Sequence, residues 1–424
     1  MIKKNKTLEI QSRIAALRPS DTLTINELSH QLEKQGNTVY KFGFGQSPFP
    51  VPSLIQETLQ INAHQKDYLP VQGLRILREK MATHTNRLMK NEKYDADNIF
   101  IGPGSKELIY LAQLAIDAPL LLPNPSWVSY APQAKIIGKK IHWIPTESNH
   151  WKLEAEVLKN YLDQHDIRQG VLLLNYPNNP TGQSFSATEL QALATVCRQY
   201  QIIVISDEIY GLLTFENHYQ SIASYYPEGT IITTGLSKWA GAGGWRLGAM
   251  IIPAELKIVY QAMMALASET FSAVSAPIQF AAVAAYKEHI SLKKYLHNSQ
   301  TILKRIGNYC YQQLRSGGVE VMPASGGFYL FPNFTRLCRQ SDSVEFCRQV
   351  LQETGVALLP GSSFGRPTNE LTARLCFVDF DGAKALKHLD LHGKIEQEYL
   401  NILFPRMLQG MARLMEWVEK QSNI

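Results

Sequence analysis

Lys238 and Arg246 stand eight residues apart in GLSKWAGAGGWRLG, residues 235–248. That spacing offers one group able to attack a carbonyl and one able to grip an anion. A lysine enclosed by protein can lose its proton and form a Schiff base, and an arginine presents a rigid, always-charged fork suited to phosphate. Gly241, Gly243 and Gly244 lie between them, so the backbone must bend tightly there or let something approach closely. Taken alone, such a lysine is more often a solvated loop residue. Asp207, in VISDEIY (204–210), follows an apolar run and reads as a helix cap, a metal ligand or the partner of a charged ligand. IGPGSKELIYLAQL (101–114) is a glycine turn opening a helix, where backbone N–H groups and the helix dipole form an anion site. Arg374 begins the apolar run of LTARLCFVDF; an arginine is out of place in a core strand and is a natural bidentate partner for a carboxylate. NYPNNPTG (175–182) is a turn under any reading.

These residues need a scaffold that brings them together. Short apolar runs at Ile99–Ile101, Ala118–Leu122, Val171–Asn175, Ile202–Ser206, Ile231–Thr234 and Ala249–Ile252 alternate with helix-like stretches such as Lys106–Ile116 and Ala187–Tyr200. Buried strands separated by helices predict a mostly parallel sheet covered on both faces. Ligands of such sheets bind beyond the carboxyl ends of the strands, and Asp207, Asn179 and Lys238 all follow apolar runs. Further along, Ala254–Ala267 and Ala281–Gln313 read as long helices. VEVMPASGGFYLFPNF (319–334) reads as strand, turn and strand, and Ser343–Thr354 as a helix. Phe404, Leu408, Met411, Leu414 and Trp417 form the apolar stripe of a terminal helix, expected as core packing, with Pro405 in its first turn.

Composition narrows the function classes. The 424 residues carry 42 Lys and Arg against 37 Asp and Glu, without the basic stripe that nucleic-acid binding requires. Cys197, Cys310, Cys338, Cys347 and Cys376 lack metal-site or disulfide-framework spacing, which fits a reducing compartment and predicts no metal. No apolar run reaches membrane-spanning length. The start, MIKKNKTLEIQSRIAAL, is expected to be a helical arm rather than a targeting segment, and a cytoplasmic location follows. The glycine turn at 102–104 matches neither dinucleotide nor P-loop fingerprints, which argues against a nucleotide.

Taken in order, the motifs resemble those of the class I and II aminotransferases, pyridoxal-phosphate enzymes of fold type I, from about residue 18 onward. The resemblance implies an α/β fold with a large domain, whose seven-stranded, mostly parallel sheet is sandwiched by helices, and a smaller α/β domain. The expected division is residues 1–48 for an arm and part of the small domain, 49–290 for the large domain and 291–424 for the C-terminal small domain. It further implies that Lys238 binds the cofactor and moves the proton, that Asp207 holds its ring nitrogen, and that Tyr210 and Asn179 hold its 3-oxygen. An Asp there keeps a pyridine nitrogen protonated, which sustains the ring as an electron sink. Trp127, in PNPSWVSYAP (123–132), would stack on the ring. Ser105, Lys106, Ser237 and Arg246 would hold the phosphate, joined by Tyr68 from a neighbouring subunit, so that a homodimer shares its sites. Gly45, Asn179 and Arg374 would hold the substrate carboxylate. The family's GEPDF and MTGWR appear as GQSPF and AGGWR; both segments flank the substrate, so they bear on specificity.

The activity so implied moves an amino group from an L-amino acid to a 2-oxo acid. The alternative within the fold is a lyase or synthase resembling aminocyclopropane-carboxylate synthase or a carbon–sulfur lyase. A cofactor-binding regulator is disfavoured, because the residues ahead of the motifs leave no room for a helix-turn-helix unit. Tyr40, Phe42, Phe44, Phe49 and Phe271 could line an apolar substrate pocket, but core is the weightier reading. The donor and acceptor stay open.

Overall fold

A computed structural model describes residues 10–15, 17, 21–216 and 219–422. Most of the basic N-terminal segment lies outside them; within it, Ser12–Ala15 is helical. Among the described residues no helix is long and apolar enough to cross a membrane.

Seven strands form the main sheet: β1 (Ile99–Gly102), β2 (Leu120–Asn124), β3 (Ile141–Pro145), β4 (Gly170–Asn175), β5 (Ile202–Asp207), β6 (Thr230–Gly235) and β7 (Gly248–Ile251). Their order is β1-β7-β6-β5-β4-β2-β3. Every neighbouring pair is parallel except those made by β7, which runs against both β1 and β6. β4, GVLLLN, is buried along its whole length, as a strand covered on both faces must be. The helix Ala187–Gln199 between β4 and β5 starts on a capping box, in which Ser186 accepts the Glu189 N–H and the Glu189 side chain accepts the Ser186 N–H.

A second sheet of three short strands, β8 (Tyr329–Leu330), β9 (Leu359–Pro360) and β10 (Ala373–Cys376), has the antiparallel order β8-β10-β9. The helix Ser343–Thr354 is capped by Asp342 and ends on Gly355 at φ 76°. The terminal helix Pro405–Ser422 buries Met407, Met411, Leu414, Trp417 and Val418, so its stripe is core.

Two expectations need correction, and one strand lies outside the expected runs. The helix expected over Ala281–Gln313 is two, Ala276–Ala285 and Ile290–Ser316. The chain restarts because the His289 ring accepts the Ser291 N–H at 3.2 Å, while Glu288 pairs with Lys293 at 3.3 Å and with Arg87. Residues 319–334 form no regular hairpin. A single bridge joins Glu320 to Asn333, and the stretch between turns toward the larger sheet, with Ser325 N–H donating to Gly182 O at 2.8 Å and Gly327 N–H to Leu213 O at 2.9 Å. β3, IHWIP, was not expected; it is an edge strand paired only to β2 and broken at its end by Pro145.

Candidate functional site

The parallel strands deliver their chemistry to one edge. Beyond β1 comes Ser105, beyond β2 Trp127, beyond β4 Asn179, at the end of β5 Asp207 and beyond β6 Lys238. A cleft of about 570 Å³ opens there, lined among others by Gly45, Ser105, Lys106, Trp127, Asn179, Asp207, Tyr210, Ser237, Lys238 and Arg246. Arg374 joins through Asn179, its Nη1 donating to Asn179 Oδ1 at 2.9 Å. Tyr68 does not line this cleft; its side chain stands 95% exposed. Tyr40, Phe42 and Phe49 are buried in the core, Phe44 and Phe271 are half-buried, and none of the five lines the cleft.

Lys238 Nζ donates to Gly45 O at 2.6 Å and lies 5.6 Å from the centre of the Tyr210 ring. Burial, reinforced by the nearby Arg374 charge, pulls its pKa down to about 8. Much of it is therefore a neutral amine at mildly alkaline pH.

Asp207 is 3% exposed, and burial pushes its pKa up to about 6 against the hydrogen bonds that favour its charged form. Tyr130 Oη donates to Asp207 Oδ2 at 2.6 Å, and the Ile209 N–H to Oδ1 at 3.2 Å. Asn175 ties two strand ends together: its Nδ2 donates to Asp207 O at 2.8 Å, and its Oδ1 accepts the Asn179 N–H at 2.7 Å. Behind this, the buried Glu208 carboxylate accepts from Ser206 and Ser221 at 2.7 Å each, from Tyr176 at 3.1 Å, and from Tyr219. Those hydroxyls fix the turn that carries Asp207 into the cleft.

Tyr130 and Asn175 escaped the sequence reading, although Tyr130 lies three residues past Trp127 and Asn175 opens NYPNNPTG. Tyr130→Phe removes a charge-assisted hydrogen bond worth about 1.5–3 kcal/mol. The acid limb of the kcat/KM profile against pH is expected to move up by about one to two units, because the Asp207 carboxyl then holds its proton more tightly.

Arg374 is 4% exposed. Its Nη2 donates to Gly43 O at 2.7 Å, its guanidinium lies 4.9 Å from the Tyr329 ring centre and 5.2 Å from that of Phe364, and its Nε has no hydrogen-bond partner. At the other end of the cleft the helix Ser105–Ala115 presents its N-terminus, whose first N–H groups lack partners within the helix. Gly248 lies so close that a Cβ there would fall 2.5 Å from Ser105 N, so the cradle admits only glycine. Arg246, at φ 54°, donates to Gly243 O at 3.0 Å and Pro103 O at 3.1 Å, which brings its guanidinium beside that helix start. Lys106 Nζ lies 5.1 Å from the Trp127 ring centre, and burial, with Arg246 nearby, lowers its pKa.

These groups fit pyridoxal phosphate: an anion cradle at one end, a buried carboxylate still able to hold or share a proton, an amine of lowered pKa, and an aromatic wall at Trp127. Sheet and cleft together define the fold type I class of pyridoxal-phosphate enzymes.

Comparison with known proteins carries this further. The profile of the family described as aminotransferase class I and II matches residues 37–384. The aspartate aminotransferase of Bacillus subtilis (strain 168) is 32% identical over 376 residues, spanning 85% of this chain and 93% of that protein. That of Geobacillus stearothermophilus is 33% identical over 378 residues, with the same coverage of 85% and 93%. The solved aspartate aminotransferase of Thermotoga maritima superposes with a TM-score of 0.80 at 25% identity, covering 96% of this chain and 100% of that one. The chain belongs to the class I and II aminotransferases and is a pyridoxal-phosphate-dependent transaminase.

Proposed function

We propose that the chain moves the amino group of aspartate, or of a close dicarboxylic relative, to a 2-oxo acid, with pyridoxal phosphate attached at Lys238. The observation that carries the attachment is the Lys238 amine, its pKa lowered to about 8 by burial, in one cleft with Asp207. The substrate class draws on the aspartate aminotransferases among its relatives. The cationic groups Lys106, Arg246 and Arg374 also suit a negatively charged substrate beside a phosphate.

The bound cofactor supplies a ring that takes up the electron pair left when the amino acid's Cα–H bond breaks, and a carrier for the amino group between the two oxo acids. The protein does the rest. Arg374, with Asn179, grips the α-carboxylate and sets the orientation of the Cα–H bond. Lys238 Nζ takes that proton and hands it on. Asp207 would hold the ring nitrogen in its protonated form, and Tyr210 and Asn179 would donate to the 3-oxygen. Ser105, Lys106, Ser237 and Arg246 would hold the phosphate, Trp127 would stack on the ring, and Gly45 would leave room for the carboxylate. Tyr68, exposed on its own chain, would reach the phosphate of a second copy, giving a homodimer with shared sites. Five buried cysteines, whose spacing suits neither a disulfide framework nor a metal site, support a reducing, cytoplasmic setting.

Mixing the holoenzyme with single amino acids and then with single oxo acids, while following the cofactor's visible absorbance, tests this reading. Aspartate is expected to bleach the band and 2-oxoglutarate or oxaloacetate to restore it. Release of ammonia or a thiol, with no dependence on oxo acid, would replace transamination by lyase chemistry.

A further inference from the structure

One buried residue touches both halves of the proposed chemistry without belonging to any motif. Tyr329, in β8 of the small sheet, is 1% exposed. Its hydroxyl lies 2.5 Å from that of Tyr210, which stands past the end of β5 in the large sheet. Its ring faces the Arg374 guanidinium at 4.9 Å. A Cβ on Gly45 would fall 2.3 Å from the Tyr329 hydroxyl, so that hydroxyl also abuts the backbone whose carbonyl holds Lys238 Nζ. The Tyr210 and Tyr329 rings meet edge to face, 5.4 Å between centres at 81°.

We propose that Tyr329 is a positioning residue with two separable tasks: its hydroxyl donates to Tyr210 and so turns the Tyr210 proton toward the cofactor's ring oxygen, and its ring holds Arg374 in place for the substrate carboxylate. This rests on the role given to Tyr210 above. Two phenols in contact share one proton between them, and the direction of that bond decides which hydroxyl has a hydrogen left to give. The Arg374 cation over the Tyr329 face draws density from that ring and makes its O–H the better donor. Burial holds both phenols well above the ordinary tyrosine range, so each keeps its proton. With Tyr329 donating, the Tyr210 hydrogen is free and its oxygen is fixed, and a donor that is itself accepting a hydrogen bond gives a stronger one. The hydroxyl pair is thus one point where β8 meets the loop beyond β5, and Tyr329 links the carboxylate grip to the ring-oxygen contact.

The tasks are separated by two substitutions, read by spectroscopic titration of the bound cofactor and by the affinity of the unreactive dicarboxylate maleate, both on holoenzyme. Tyr329→Phe keeps the ring and loses the hydroxyl. Its chromophore is expected to titrate about one pH unit higher, since a weaker Tyr210 donor stabilises the ring-oxygen anion less, while maleate binds as in the wild type. Tyr329→Leu also loses the aromatic face, and maleate affinity is expected to fall about tenfold. Tyr210→Phe should shift the chromophore at least as far, and Tyr210→Phe with Tyr329→Phe no further than Tyr210→Phe alone. An unshifted titration in Tyr329→Phe, against a shifted one in Tyr210→Phe, overturns the positioning role alone. An unshifted titration in Tyr210→Phe overturns the role given to Tyr210. Equal loss of maleate affinity in the Phe and Leu variants overturns the division into two tasks.

Discussion

Lys238→Ala is expected to leave the fold intact and to lower kcat by about 10⁴-fold or more, the upper end of what a positioned general base supplies. Two arguments converge on that size. The amine is the group proposed to move the α-proton, and burial with the Arg374 charge has brought its pKa to about 8, so near neutrality it is both available as a base and able to release the proton again. A lysine at its ordinary pKa would be charged and idle in the same place. The substitution also removes the proposed attachment point of the cofactor, which separates cofactor binding from chemistry. The phosphate contacts proposed for the helix start at Ser105 and for Arg246 are untouched, so the cofactor is expected to bind, to exchange more readily on dialysis, and to lack the pH-dependent visible band of the wild type. The measurement is single-turnover formation of oxo acid from aspartate on cofactor-saturated protein. A rate within tenfold of wild type would remove Lys238 from the chemistry. Because residues acting as a unit are not additive, pairing this change with Asp207→Asn should cost less than the product of the two separate losses.

Much of this site was legible in the sequence for a reason rooted in the fold. A parallel sheet collects the ends of its strands along one edge, so residues directly after apolar runs converge even when far apart in the chain. Asn179, Asp207 and Lys238 are 28 and 31 residues from one to the next, yet all three line one cleft. Arg374 was legible from incongruity, a permanent charge at the head of a buried strand. Tyr329 has no such signal. A tyrosine in GGFYLF is indistinguishable from core until the small sheet is seen to bring it against Tyr210, 119 residues away. The misread helix at 281–313 failed for a local reason. Its apolar periodicity runs on through Tyr286–His289, and the ring of His289, which starts a new helix by accepting a backbone N–H, is a cap that sequence patterns rarely flag. Residues 319–334 alternate like a hairpin, but Ser325 and Gly327 in their turn pair with Gly182 and Leu213 of the larger sheet's loops, contacts that no local pattern encodes. Tyr68 is of another kind again: its side chain is exposed, and its proposed role needs a second copy of the chain.

Asp207→Asn is expected to move activity and stability in opposite directions. The amide cannot keep a pyridine nitrogen protonated, and loss of one preorganised electrostatic partner lowers kcat by about 10²–10³-fold. Stability of the cofactor-free protein should rise, because the wild-type carboxylate is held at a cost. Burial raises its pKa from 3.8 to about 6, so between those values the native state binds a proton that the unfolded state does not. The wild-type side chain therefore contributes most below about pH 4, and that contribution is lost as pH rises through about 6. Above pH 6 the folded protein carries a buried charge whose penalty, about two pKa units, corresponds to about 3 kcal/mol. Asparagine keeps an oxygen to accept the Tyr130 hydrogen bond and carries no charge to desolvate. Urea unfolding of the two cofactor-free proteins is thus expected to show the variant more stable by about 3 kcal/mol at pH 7.5, with the gap closing as pH falls toward 4. Adding the cofactor should reverse the order, since the carboxylate then meets the charged ring nitrogen it is placed to hold and binding to the native state adds stability in proportion to affinity. A gap that does not change with pH would show that the Asp207 carboxyl titrates alike in the folded and unfolded chains. A variant that is more stable and still fully active would remove Asp207 from the cofactor's side of the cleft.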